Sequence, residues 1–237
     1  YADVVVTVSQ QKTDFVKALL KQPNQQYHTI TNGYDPESFN YLAPSAKTNT
    51  ALFNIVYCGR LFKNRKGYAF LHALGQLSMQ QPQLTQQVKL HFYGDIAPEI
   101  NAEYDKLIAQ YQLQQQVIRH GDVSFEQAKQ AQVDADMLLL IVDTGATSDG
   151  VIPGKLFEYM VSERPIIAIG PKDSDFAEII TTTNTGVFFD YSEKMKLKSV
   201  ILDFYNQFLE GKLQSHGIGL QQYSRRSLTQ QIAKLIS

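Results

Sequence analysis

A single cysteine, Cys58, in 237 residues rules out an internal disulfide framework, which fits a reducing compartment. Net charge is nearly absent. The 22 Lys and Arg face 23 Asp and Glu, for a formal charge of -1, and this argues against a dedicated binder of nucleic acid or of an anionic membrane surface. No apolar run reaches the length of a membrane span. The opening residues, YADVVVTVSQ, lack the basic flank and apolar stretch of a secretory signal. Familiar site motifs are missing too. PGKL carries leucine where a Walker A loop needs Ser or Thr, no G-x-G-x-x-G follows the early strand-like runs, and no G-x-S-x-G elbow is present. The five histidines, His28, His72, His91, His120 and His216, show no metal-ligand spacing, so structural or surface roles are expected of them.

What is present is an ordinary globular composition, 43% hydrophobic and 19% charged. Apolar, β-branched runs alternate with segments of helical period along the whole chain. DVVVTV, LFNIVYC, VKLHFYG, VIRHG, ADMLLLIV, RPIIAIG and TGVFF read as strands. Between them, SQQKTDFVKALLK, KGYAFLHALGQLSM, EINAEYDKLIAQYQ, GKLFEYM and SDFAEII read as helices, and two further helices finish the chain. ADMLLLIV is apolar on both faces, as a central strand of a parallel sheet must be. This alternation predicts an α/β, doubly wound parallel sheet of Rossmann-like type. The Asn-Gly and Asp-Pro pairs of TNGYDPESF mark a linker.

In such a sheet ligands bind beyond the carboxyl ends of the strands. Two loops there are unusual. In CGRLFKNRKG, Gly59 permits a sharp turn, and Arg60, Lys63, Arg65 and Lys66 place four cations in seven residues with no acid among them. Cations at a helix N-terminus are unfavourable unless an anion joins them. The loop reads equally as an anion site or as a solvated basic turn. The second loop, DTGATSDGVIPGK, runs through Asp149 and Gly150 to Pro153, Gly154, Lys155 and Leu156. Glu158 follows, three residues after Lys155 and four after Gly154, so the three are expected on one helical face. A carboxylate between Phe157 and Tyr159 is expensive to bury unless it is bound. It could accept hydrogen bonds from a ribose diol, although taken alone it is explained by a salt bridge to Lys155.

The ordered set of motifs resembles the C-terminal, donor-binding half of GT-B glycosyltransferases, family 4 in type. ITNGYDPESF is similar to an interdomain linker, GRLFKNRKG to the family's G-R-L…K-G loop, RHGDVSFEQ to a following turn, and GKLFEYMVSERPIIA to its K-x-F-E-Y signature. The resemblance implies that residues 1–40 close an N-terminal domain and lead into the linker, and that 41–237 form the donor domain with its C-terminal helices. It implies that Arg60 and Lys66 grip the donor diphosphate and stabilise charge on the departing nucleotide, with Gly59 in the same loop. Glu158 would hold the ribose, the backbone of Pro153, Gly154, Lys155 and Leu156 the phosphates or sugar, and Asp122 and Val123 the nucleobase. Many relatives carry a glutamate where Gly150 stands, and Asp149 beside it is the stand-in for that sugar ligand.

The implied partner is a UDP-, GDP- or ADP-sugar, with no metal and no other cofactor, acting in bacterial surface polysaccharide synthesis in the cytoplasm or at the inner membrane face. Opening on Tyr1 in a strand-like run, the chain is expected to lack an N-terminal acceptor domain, through which, or through a lipid-linked acceptor, any membrane association would run. Two alternatives stay open: a nucleotide-sugar-binding module without catalysis, and a nucleotide-sugar epimerase of the same fold.

Overall fold

The computed structural model describes residues 2–22, 24–39, 42–46, 51–142 and 150–236. It opens with a small parallel pair, β1 (Val4–Thr7) and β2 (Gln26–Thr29), joined through α1 (Gln10–Leu20). Ser9 caps α1 by accepting from the Lys12 amide. After a short 3-10 turn at Pro36–Ser38 comes the main sheet.

That sheet holds β3 (Phe53–Cys58), β4 (Val88–Tyr93), β5 (Val117–Gly121), β6 (Met137–Ile141), β7 (Ile166–Gly170) and β8 (Gly186–Asp190), each close to the run read from the sequence. Every pairing is parallel, and the order is β5-β4-β3-β6-β7-β8. Strand order therefore reverses between β3 and β6, which pair through Ile55↔Met137 and Val56↔Leu138. The expected doubly wound architecture is what forms.

Alternation along the strands builds two cores. Ile55, Tyr57, Leu90, Phe92, Leu139, Ile141 and Ile167 face α2 (Tyr68–Gln80), α4 (Pro98–Gln110) and α8 (Lys194–Leu209). Val56, Cys58, Leu138, Leu140 and Ala168 face α6 (Lys155–Val161) and α7 (Asp175–Thr182) on the other side. All five residues of β6 and of β7 are buried, so both faces are covered, as the apolar runs require. Two helices went unnoticed in the sequence, α3 (Pro82–Gln87) and α5 (Phe125–Asp134). α5 starts at a capping box in which Ser124 and Gln127 satisfy each other's backbone amides.

The linker is tied to the chain's end rather than left loose. Tyr34 donates its amide to the Tyr223 carbonyl at 3.1 Å, and Arg225, opening α9 (Arg225–Ile236), donates to the Tyr34 carbonyl at 2.9 Å. Asp136 accepts from the Asn54 amide at 2.9 Å, and Asp134 from both the amide and hydroxyl of Ser45.

Candidate functional site

At the switch point the two unusual loops meet. Lys155, first residue of α6, donates Nζ to the Cys58 carbonyl at 2.6 Å, and its ammonium lies 4.6 Å from the centre of the Tyr57 ring. The Tyr159 hydroxyl accepts from the Cys58 amide at 2.8 Å. α6 is thus fastened to the end of β3 by both polar groups of one residue. Burial between these partners pushes the Cys58 thiol up to about 12, so it is no thiolate nucleophile.

Gly59 is the next residue, and its geometry explains why it is glycine. Its φ is +133°, and an added Cβ would stand 2.1 Å from Lys155 Nζ. Gly94, at the end of β4, packs as closely: a Cβ there would meet the Gly59 carbonyl oxygen at 2.5 Å. The chain then folds back through a tight turn in which Phe62 and Arg65 exchange backbone hydrogen bonds, with the Arg65 guanidinium 5.0 Å from the centre of the Phe62 ring.

The loop's two principal cations stand in solvent at the carboxyl edge. Arg60 pairs through Nε with Asp95 at 3.2 Å, with side chains 68% and 49% exposed. Such a pair is worth at most about 1 kcal/mol, so an anion reaching Arg60 would displace Asp95 at little cost. Asp95→Asn, by releasing Arg60, is therefore expected to tighten nucleoside-diphosphate binding by up to about fivefold, measured by calorimetry. An unchanged or weaker affinity would mean that Asp95 orients Arg60 rather than competing for it. Lys66 is exposed immediately before α2, whose N-cap, Gly67, offers no side-chain hydrogen bond.

Glu158 is half-buried and opens on a cleft of about 580 Å³ between β1, β2 and α9, which also takes in Gly33, Gly154 and Arg225. Lys155 does not line that cleft. It turns toward β3, so the single helical face expected for Gly154, Lys155 and Glu158 divides. The pKa of Glu158 is raised, because burial outweighs a hydrogen bond from Gln132 and the nearby charges of Lys129, Lys155 and Arg225. Lys129 is itself buried, with its ammonium 4.0 Å from the Phe125 ring centre and 3.4 Å from the Ser38 carbonyl. Lys129 and Gln132 come from α5, so sequence inspection that missed the helix missed both.

The raised value fixes a sign. The folded state holds the Glu158 proton more tightly than the unfolded chain, so ionisation costs stability. That cost is absent below the group's ordinary value and complete above the raised one. Glu158→Gln should therefore unfold at higher temperature than the parent at about pH 7, with the gap closing on acidification through the carboxylate range. A gap that widens in acid would mean the carboxylate is stabilised where it stands.

The remaining expected residues are near this edge. Gly150 is buried at φ +72°, where a Cβ would meet Ser9 Oγ at 2.8 Å. Pro153 and Leu156 are buried and Gly154 exposed, while Asp149 lies outside the described residues. Asp122 is exposed beyond β5, and Val123 lines a groove of about 510 Å³ with Tyr93, His91 and His120. Two of the five histidines meet here: His91 Nδ1 and His120 Nε2 are 3.0 Å apart, and the His120 ring stacks on Tyr93 at 4.0 Å. Among the described residues no three His, Cys, Asp or Glu side chains gather as metal ligands. A cavity of about 720 Å³ beside α7 is lined by Asp173, Asp175, Glu178, Asp190 and Glu193, with Lys172, and by none of the expected site residues.

Comparison with known proteins bears on this edge. The family model described as glycosyl transferases group 1 matches residues 53–207, more than half of the chain. The chain belongs to that family. Its fold is that of the C-terminal domain of GT-B glycosyltransferases. Among solved structures, HepE of Anabaena in complex with UDP is similar at 17% identity and a TM-score of 0.73, over 100% of this chain and 64% of that one. WaaB, a lipopolysaccharide outer core galactosyltransferase, is similar at 15% identity and a TM-score of 0.69, over 100% and 62%. TarM of S. aureus, with fondaparinux, α-GlcNAc-glycerol and UDP, is similar at 15% and 0.68, over 99% and 44%. The chain thus spans less than two thirds of the length of these proteins. No curated protein matches it. Among the described residues no helix is long and apolar enough to cross a membrane.

Proposed function

We propose that the chain is the donor-binding part of a glycosyltransferase that takes its sugar from a nucleoside diphosphate. The observation that carries this is the Lys155–Cys58 contact, which brings the Arg60–Lys66 loop and the α6 helix bearing Glu158 to one carboxyl edge. UDP is the first diphosphate to consider, since it is the nucleotide bound in HepE and TarM. GDP and ADP remain to be compared with it.

In this reading Arg60 and Lys66 hold the diphosphate. As the bond from the anomeric carbon to the β-phosphate oxygen breaks, the electron pair stays on that oxygen, and the two cations stabilise it. They already lie at the edge, so little reorganisation opposes the charge that develops. Their counter-charge lets the reading stand without a divalent ion. Glu158 accepts from the ribose hydroxyls, while Gly59, Gly150, Pro153, Gly154 and Leu156 shape the backbone approach. Asp122 and Val123 bound the base, and Asp149 or its neighbours meet the sugar.

The acceptor site and any proton relay belong, in this reading, to an N-terminal domain preceding 41–237. The exposed side chains of Val6, Val8, Phe15 and Leu19 on residues 1–40 supply apolar surface for it. A role in surface polysaccharide synthesis at the cytoplasmic side fits the same reading, and retention of anomeric configuration is its expected outcome. Calorimetric titration with UDP, GDP and ADP tests the proposal. One of the three should bind at a single site, and binding by none would remove its foundation.

A further inference from the structure

The cavity of about 720 Å³ lies where α1, α7 and the end of β8 meet, and it shares no residue with the proposed donor site. Gln11, near the start of α1, is pinned across it. Its amide donates to the Asp175 carboxylate at 3.1 Å, and its side-chain Nε2 donates to the Asp173 carbonyl at 2.7 Å. With Nε2 committed, Oε1 is the acceptor left over, and it is buried with no hydrogen-bond partner among the described residues. Ser174 lines the same cavity and is only 6% exposed. Its hydroxyl is likewise buried without a partner, although the residue stands at the N-cap of α7.

A buried polar group left unpaired is costly, and two from separate elements on one cavity wall point to a group that enters the cavity. The charges on the wall say what kind. Asp190 is met by the amide and hydroxyl of Ser192, and Glu193 by Lys196. The Asp173 and Glu178 carboxylates have no such partner among the described residues. Lys172 lines the wall as well and is exposed. Asp175 and Glu178 fall in the first turn of α7, where the helix dipole favours acids. That dipole accounts neither for Asp173 nor for the unpaired Ser174 and Gln11 groups.

We infer that this cavity binds a protonated organic amine. An ammonium group is all donors, and the unmet groups here are carboxylates, an amide oxygen and a hydroxyl, each able to accept. A phosphate would be repelled by the acids, and a neutral polyol would bring acceptors that few donors could meet. A bare metal ion is not suited either, since among the described residues no three acids gather as ligands. The volume is that of a small-molecule site, and Phe188 and Ala177 supply apolar wall for the body of the ligand. The cavity also borders the donor loop, because a Cβ on Gly150 would stand 3.1 Å from the Gln11 Cβ. That neighbourhood favours an amino sugar acting as second substrate. This assignment rests on the proposed function, whereas the ammonium site does not.

The test is calorimetric titration of glucosamine, N-acetylglucosamine and 5-aminopentanol into the nucleotide-free chain at neutral pH and low salt. Glucosamine should bind about tenfold more tightly than N-acetylglucosamine, which lacks the charge. Asp173→Asn combined with Glu178→Gln should weaken both amines by about tenfold. Asn is tolerated at position 173, where φ is +58°. Glu37→Gln with Glu99→Gln, an equal change in net charge at exposed positions elsewhere, should leave them unchanged. Tighter binding of glucosamine than of 5-aminopentanol assigns the cavity to an amino sugar, and the reverse order assigns it to a linear amine. Glucosamine binding no tighter than N-acetylglucosamine overturns the inference, as does equal amine affinity in the parent and the Asp173→Asn, Glu178→Gln variant. UDP is titrated separately. If UDP does not bind, the functional proposal fails, and the amine titrations still decide the cavity.

Discussion

Replacing Arg60 and Lys66 together by alanine is expected to lower affinity for the cognate nucleoside diphosphate by about 10²- to 10⁴-fold. Each charge-assisted contact to phosphate contributes about 1.5–3 kcal/mol, and every 1.4 kcal/mol is tenfold in affinity. The fold should not change. Both side chains are exposed, and among the described residues the only ion pair broken is the solvent-screened one between Arg60 and Asp95. Thermal unfolding should accordingly stay within about 0.5 kcal/mol of the parent, as for other surface substitutions. A double variant that unfolds like the parent and binds nucleotide equally well would show the basic loop to be a solvated turn.

The second large effect is a difference between two ligands. Glu158→Ala should weaken a ribonucleoside diphosphate by about 10- to 100-fold, the loss of hydrogen bonds to a charged acceptor. Affinity for inorganic pyrophosphate should be nearly unchanged, because Arg60 and Lys66 lie in another loop. A 2′-deoxynucleotide should discriminate poorly between parent and variant. The raised pKa of Glu158 agrees with a carboxylate held at some cost in stability. Equal weakening of ribonucleotide and pyrophosphate would instead make Glu158 a structural partner of Gln132 and Lys129.

The sheet was legible because its central strands are apolar on both faces. MLLLI and IIAIG admit no amphipathic alternative at that length. Arg60 and Lys66 were legible because four cations without an acid stand out in a loop between a strand and a helix. α5 was not. Its sequence FEQAKQAQVD carries little apolar contrast, and two of its polar side chains, Lys129 and Gln132, point inward. The surroundings of Glu158 depend on that helix and on Arg225 from α9, so no local pattern could disclose them. His91 and His120 lie 29 residues apart in sequence and meet only because β4 pairs with β5. The division of Lys155 from Glu158 is likewise a tertiary effect, set by the Cys58 carbonyl drawing the ammonium away.

The most direct test of the donor-site account is a crystal structure of this chain with the nucleoside diphosphate that binds best. The account predicts the diphosphate between Arg60 and Lys66, with the ribose hydroxyls within hydrogen-bond reach of Glu158. Nucleotide seated instead with its diphosphate away from the Arg60–Lys66 loop, or with its ribose away from Glu158, would contradict it.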